Sequence, residues 1–265
     1  MTWGPAVFGG GNFAGPAGLV DAVDTPSALE FMREALVKIS EEDIGTVVDL
    51  LALKREVMRP LLSEDTLASA NADAVRPILS RVFATRRRAD ELLVAAGAPV
   101  MARAISDLVH GAGRIETRFA AFDRALAAIE APIRRDLGGE CLHFADPERY
   151  WLWSRWMWDP EPRTGALPLV MVDDFDFSGN DAGIEYLRVG AATASVIATG
   201  RDLGFQRMGA SPFAVDVYLA AIYGIYLYTV TRLRMTQEFN RVIPHLPALV
   251  RRLLGVWALD AARRS

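Results

Sequence analysis

The stretch SEEDIGTVVDLLALKREVMRP, residues 40–60, decides the fold class. Its apolar residues recur at intervals of 3, 4 and 7, which places them on one face of an α-helix. These residues are Ile44, Val47, Val48 and Leu51. Ser40 and the acids after it open the helix, because its amino end favours negative charge, and Pro60 ends it.

The same helical pattern continues on both sides of this stretch. A helix begins at Thr25-Pro26-Ser27, with Ser27 and Glu30 as a capping box. Further helices are predicted at 72–95, 99–110, 115–135, 147–158, 181–200, 212–235 and 245–262. The one strand-like segment, 167–172, is short and isolated. We therefore predict an all-α protein, an irregular bundle of about eight or nine helices.

Domain organisation follows from where the helical pattern starts. Residues 1–24 are rich in glycine and proline and lack periodicity, which predicts an arm. No Pro/Ser-rich linker divides the rest, so 25–265 is predicted as a single helical domain. Two lobes, 25–136 and 137–265, are the alternative, because the second part is more aromatic and less charged.

Composition excludes some classes of partner and compartment. The net charge of −4 provides no overall field that attracts nucleic acid. Cys141 is the sole cysteine, which fits a reducing compartment, and we expect a cytoplasmic protein. Between Ser211 and Thr231 the only charge is Asp216. A buried central helix is favoured over a membrane span there, because a span would carry this carboxylate into hydrocarbon.

Residues 140–160, ECLHFADPERYWLWSRWMWDP, contain four of the six tryptophans. Asp146 as N-cap and Pro147 at the first helical position predict a helix up to Asp159-Pro160. On such a helix Trp151, Arg155 and Trp158 share one face. The helix is either a central core element or an interface, on which arginines add cation–π or phosphate contacts. The candidate binding residues are Arg149, Trp151, Arg155 and Trp158.

A longer sequence pattern surrounds this segment. Gly139-Glu140 is followed by Leu142-His143, then by Pro147-Glu148-x-Tyr150 and Leu152-Trp153. Over about residues 40–155 the chain resembles helical domains of prokaryotic restriction-associated proteins. The resemblance implies a helical fold and a role in a nucleic-acid or defence complex. It implies no catalytic residue, and the chain has no G-x-x-x-x-G-K-[ST] motif.

Two patterns are compatible with metal binding. Residues 174–185 fit a calcium loop, with Gly179 at its sixth position and ligands for Ca²⁺ or Mg²⁺ at Asp174, Asp176, Ser178 and Glu185. The alternative is an acidic loop in which Ser178 or Asn180 caps the next helix. The pairs Asp107-x-x-His110 and Glu140-x-x-His143 suggest a di-metal centre, but hydrogen-bonded histidines are favoured. Cys141 is interpreted as a small buried hydrophobe.

Three functions remain at this stage. The leading hypothesis is a non-catalytic helical subunit or adaptor that binds a protein partner, or a second copy, within a larger complex. The alternative is a nucleic-acid-binding component of a prokaryotic defence or DNA-processing system, which would use Arg86 to Arg88, Arg149 and Arg155. The third is a metal-dependent enzyme. No cofactor other than Ca²⁺ or Mg²⁺ is expected.

Overall fold

The structure is a computed structural model that describes residues 22–205, 208, 210–234 and 244–259. The predicted arm lies outside these residues, apart from its last three. Within the described ranges the chain is helical and forms no strand, so the all-α prediction is confirmed. The strand-like segment 167–172 contains a 3₁₀ helix, Leu167–Leu169, and Met171 makes a single bridge to Val23.

The helices are numbered in chain order. They are α1 (Thr25–Lys38), α2 (Glu41–Leu61), α3 (Glu64–Ala68), α4 (Ala72–Leu79), α5 (Ala89–Ala96), α6 (Ala98–His110), α7 (Ile115–Ala125), α8 (Ala131–Ala145), α9 (Ala182–Asp202), α10 (Ala214–Arg234) and α11 (Leu246–Leu253). The predictions at 99–110, 181–200 and 212–235 are confirmed within a few residues. The helix predicted at 245–262 ends at Leu253, and residues 260–262 of that prediction lie outside the described residues.

The first helix starts differently from the prediction. Asp24 is its N-cap, and the Asp24 carboxylate accepts hydrogen bonds from the Ser27 amide at 3.3 Å and the Ser27 hydroxyl at 2.6 Å. The predicted capping box of Ser27 and Glu30 is therefore wrong, since Ser27 donates to Asp24, which is the N-cap instead. In contrast, the Ser40 hydroxyl accepts a hydrogen bond from the Asp43 amide at 3.0 Å, and helix α2 opens as expected.

The predicted helix 72–95 is broken into α4 and α5, with turns over 80–88. Pro77 lies inside α4 and removes one backbone donor from it. The buried Thr85 hydroxyl then donates to the carbonyl of Leu79 at 2.6 Å, which satisfies the last residue of the helix. Arg86 to Arg88 consequently lie in turns.

The largest error concerns residues 115–158. The predicted helix 115–135 divides into α7 and α8, and 147–158 consists of turns and irregular chain. Asp146 ends helix α8: its amide donates to the Leu142 carbonyl at 3.1 Å. Proline just beyond a helix end is as characteristic as proline at a helix start, so Asp146-Pro147 is ambiguous in sequence. Helix α8 runs through Gly139, where glycine is required because a Cβ would collide with the Trp153 carbonyl oxygen.

The chain divides into two compact units. The first contains the described residues of 1–52, 156–175 and 192–265, and the second contains 53–155 and 176–191. Each unit is assembled from separate stretches of sequence, and α2 and α9 contribute residues to both. No boundary falls at residue 136, where the alternative of two lobes placed it.

In the first unit, α10 packs against α1 and α11. Residues 217–222 of α10 are buried, as is Asp216, so the predicted buried helix is confirmed. Tyr223 and Tyr226 share a face, with ring centroids 5.9 Å apart, and Trp156 packs 6.4 Å from Tyr223.

In the second unit, α6 is the central helix. It packs against α3, α4, α5, α7 and α8 through a buried apolar face. Among the described residues no single helix has the length and apolarity to cross a membrane, although α5 and α6, bent by 93°, satisfy both criteria as a pair.

Candidate binding site

The turns between α4 and α5 form the most distinctive surface of the second unit. We call residues 80–88 the arginine loop; they contain four arginines and no acidic residue. Val82 and Thr85 point inward and are fully buried, whereas Phe83 is 40% exposed. Arg81 and Arg87 are exposed as well. The loop thus alternates anchoring residues with residues that face solvent.

A buried ion pair fixes this loop from the inside. The Phe83 amide donates to Glu140 Oε1 at 3.3 Å, and Glu140 Oε2 lies 2.5 Å from Lys54 Nζ. Lys54 is 2% exposed and Glu140 5% exposed. The Lys54 ammonium also lies 4.5 Å from the centroid of the Phe144 ring. Because both charges are desolvated, each strongly restricts the position of the other, and the loop backbone is bonded to them.

The exposed groups of the loop differ in their partners. The Arg86 guanidinium lies 4.9 Å from the Phe83 ring centroid, in cation–π geometry. Arg88 binds Glu91 at 2.5 Å and Glu130 at 2.9 Å, so its charge is neutralised. Arg87 makes no ion pair with any residue that the structure describes. Phe83 and Arg87 therefore remain available for contact.

Helix α8, which supplies Glu140, has a buried polar face. Asp136, Glu140 and His143 follow one another at i, i+4 and i+7 and are all buried. Asp136 accepts hydrogen bonds from the Arg155 amide at 2.7 Å and from Arg155 Nε at 2.8 Å. His143 Nδ1 lies 2.9 Å from the Tyr150 carbonyl oxygen. These bonds hold the irregular chain from 150 to 155 against the helix.

Burial raises the pKa of Asp136 to about 7, although the positive charge of Arg155 opposes this rise. Burial also raises the pKa of the Cys141 thiol, and the side chain is fully buried. Cys141 is thus not an activated nucleophile, and its interpretation as a buried hydrophobe is confirmed.

The four predicted binding residues do not form one face, because they do not lie on a helix. The Trp151 indole donates to the Tyr186 carbonyl at 2.9 Å, and a Cβ at Gly190 would collide with its ring. Arg155 is occupied by Asp136, as described above. Trp158 belongs to the first unit and is 4% exposed. Arg149 is exposed and lies 5.4 Å from the Tyr150 ring centroid.

The burial of the four tryptophans in this segment shows whether they lie in the core or at an interface. Trp153, Trp156 and Trp158 are each at most 5% exposed, and Trp151 is half-buried. Trp153 packs against Phe119, with ring centroids 5.4 Å apart. The segment is therefore core packing, divided between the two units.

Two of the four predicted calcium ligands have partners within the protein. Asp176 accepts a hydrogen bond from the Ser178 amide at 2.9 Å, and Glu185 lies 3.3 Å from Arg135. Asp181, not Ser178 or Asn180, caps α9 by accepting from the amides of residues 183 and 184. Asp174 and Ser178 are exposed.

Both histidines of the acid–histidine pairs are hydrogen-bonded, and the Asp107 side chain is exposed. His110 Nε2 lies 2.6 Å from the Leu62 carbonyl oxygen, and Glu140 and His143 have the partners given above. Across the described ranges no three His, Cys, Asp or Glu side chains form a group that could hold a metal ion. The geometry thus gives no support to a metal-dependent enzyme.

Sequence reasoning missed Lys54 and Phe83. Lys54 had a signal: Val47, Leu51 and Met58 flank it at helical spacing, so it lies on the apolar stripe of α2, where an unpaired charge is unfavourable. Phe83 had none, because its position depends on Glu140, 57 residues away.

The arrangement provides a fixed loop that presents an aromatic ring and guanidinium groups to solvent. Such groups bind other molecules through noncovalent contacts. Arginine stays protonated near neutral pH, so it does not act there as an acid or a base. No protein-family model matches this chain, and no curated protein or solved structure matches it either.

Proposed function

We propose that this chain is a non-catalytic helical subunit that binds a protein partner through the arginine loop. The observation that carries the proposal is Phe83, 40% exposed on a backbone that a buried ion pair holds in place. Aromatic and arginine side chains supply a large share of binding energy at protein interfaces. A loop that is already ordered loses less conformational entropy on binding, which strengthens association.

The alternative, nucleic-acid binding, has less support from the contacts. Two of its expected arginines, Arg88 and Arg155, are already bound to carboxylates. Asp90 and Glu91 follow the loop directly, with side chains 76% and 60% exposed. Phosphate binding depends on the release of counterions by unneutralised cations, and these acids weaken it locally. The resemblance to restriction-associated domains supports a partner from such a complex.

A paired purification tests the proposal. The tagged full-length chain is expressed in the organism that encodes it, as wild type, Phe83→Ala and Val37→Ala. Val37 is 83% exposed and lies in the first unit, so Val37→Ala is a matched control for loss of an exposed apolar side chain. We expect a protein recovered with the wild type and the control to fall about tenfold with Phe83→Ala.

The purified pair then gives the direct measurement. Calorimetric titration of the identified partner with each variant should show the same tenfold difference in Kd. Equal recovery and equal Kd for Phe83→Ala and Val37→Ala would overturn the proposal. Loss of the complex on nuclease treatment would replace it with the nucleic-acid alternative.

A further inference from the structure

The proposed protein partner leaves open what chemistry the arginine loop recognises. We infer that it recognises a short acidic segment, in which carboxylates flank an apolar side chain. This inference rests on the proposed function and concerns the same surface. Residues 80–89 carry four arginines and no acid, in a chain whose net charge is −4. Because Arg88 is neutralised by Glu91 and Glu130, the positive charge of the loop comes from its other three arginines.

Individual contacts show which charges of the loop are available. Arg81 is exposed, and its Nη1 donates to the Pro77 carbonyl oxygen at 2.8 Å, so one bond orients its guanidinium at the end of α4. Arg87 is exposed and forms no ion pair with the described residues. A guanidinium presents a planar fork of donors that matches a carboxylate with two parallel hydrogen bonds. Two such forks flank Phe83 in sequence.

Phe83 defines the apolar part of the contact. Its ring is partly exposed, and the Arg86 guanidinium packs against it. A partner that brought only carboxylates would leave this ring exposed to water. An apolar side chain between two acids would cover the ring while its neighbours reach Arg81 and Arg87, because apolar burial and charge pairing act together.

The size of the charged area favours a peptide over a polyanion. Beyond the loop, Arg76 pairs with the exposed Asp90, and Arg88 pairs with Glu91 and Glu130. A nucleic-acid backbone continuing past the loop would meet these carboxylates. A segment of a few residues needs only Arg81 and Arg87, neither of which pairs with a carboxylate in the part of the chain that the structure describes.

Direct binding to defined probes tests the inference. A short fluorescein-labelled polyglutamate peptide with one central tryptophan is titrated with the full-length chain at low salt, and fluorescence anisotropy is measured. A peptide with glutamine in place of glutamate and a single-stranded oligo(dT) are the comparison probes. We expect the acidic peptide to bind at least about tenfold more tightly than either, and its affinity to fall as salt rises.

Charge reversal locates the site. Arg87→Glu is expected to weaken binding of the acidic peptide by about tenfold or more. Arg103→Glu is the matched control, because Arg103 is also exposed, lies on α6 of the same unit, and changes the net charge equally. Circular dichroism and thermal unfolding establish that both variants fold.

Each other outcome overturns the inference. No binding of the acidic peptide, equal binding of the glutamine peptide, or equal effects of the two reversals would show that the loop does not read acidic segments. Tighter binding of oligo(dT) would identify a nucleic-acid surface. If partner recovery depends on Phe83 while the acidic peptide does not bind, the inference fails and the proposed function stands; if recovery is independent of Phe83, the proposed function itself fails.

Discussion

The arginine loop and the tryptophan segment 150–158 differ in which side chains are exposed, although both are rich in residues that recognise ligands. In the loop, the buried residues are Val82 and Thr85, and the larger side chains of Phe83 and Arg87 are exposed. In the tryptophan segment the large groups are the anchors, with Trp153 only 1% exposed. Residue type alone therefore does not indicate a binding surface. A buried carboxylate bonds the backbone of both, Glu140 in the loop and Asp136 in the tryptophan segment, so what distinguishes the two is whether the large side chains face solvent or the core.

The ion pair beneath the loop is expected to give the largest effect. Lys54→Met leaves the Glu140 carboxylate buried without its cation, and should destabilise the protein by about 3–5 kcal/mol. The double variant Lys54→Met, Glu140→Leu removes both charges and should recover much of this loss. Urea unfolding measures both. Equal destabilisation by the single and double variants would show that the pair does not act as a unit.

In the tryptophan segment, packed indole side chains add to the stability that the backbone bonds provide. Trp153→Ala removes a fully packed indole beside Phe119 and should cost about 3–5 kcal/mol. Trp257→Ala is the control, because Trp257 is 44% exposed, and its cost should be much smaller. The measurement is the urea midpoint of each variant. Similar costs would mean that exposure does not separate the two roles.

The contrast also explains how far the sequence could be interpreted. Helical periodicity predicted the class, because Ile44, Val47 and Leu51 repeat locally and are all buried. It failed at 147–158, because Asp146-Pro147 fits a helix end as well as a start, and Gly139 is required by contact with Trp153 rather than by local preference. A glycine that is required by a distant contact looks in a local pattern like a helix break.

The candidate site was harder to predict than the fold. The arginines at 86–88 were identified as charges, but a continuous helix was expected to carry them. Lys54 and Glu140 are 86 residues apart, and periodicity gives no information about contacts at that separation. In the sequence, the most aromatic segment is the stronger candidate for a binding site. Aromatic area indicates either a core or an interface, and only three-dimensional burial distinguishes the two.

Asp136, which bonds the irregular chain at Arg155, is expected to make the stability of the protein depend on pH. Burial raises its pKa to about 7 in the folded protein, whereas the pKa of an aspartate in the unfolded chain is about 3.9. The folded state then binds more protons than the unfolded state between these values. This contribution to stability is complete below about pH 4 and is lost as pH rises through about 7.

Unfolding free energies measured from pH 4 to pH 8 test this dependence. Asp136→Asn removes the titrating group and should flatten the decline, while Arg155 loses its anionic partner. An unchanged slope in Asp136→Asn would show that another group titrates. The opposite sign, with stability rising through this range in the wild type but not in the variant, would mean that Arg155 outweighs burial and keeps Asp136 ionised.

The smallest expected change in stability is that of Phe83→Ala, and it is the sharpest test of the contrast. The Phe83 contact with Glu140 is made by its backbone amide, which alanine retains, and the ring is partly exposed. Truncation should lower the unfolding free energy by about 1 kcal/mol, well below the cost of Trp153→Ala, because the ring is only partly buried. The same truncation is expected to lower partner binding about tenfold, which corresponds to about 1.4 kcal/mol. A loss of stability near that of Trp153→Ala would instead show that the ring supports the core, and that the loop and the tryptophan segment differ in degree and not in kind.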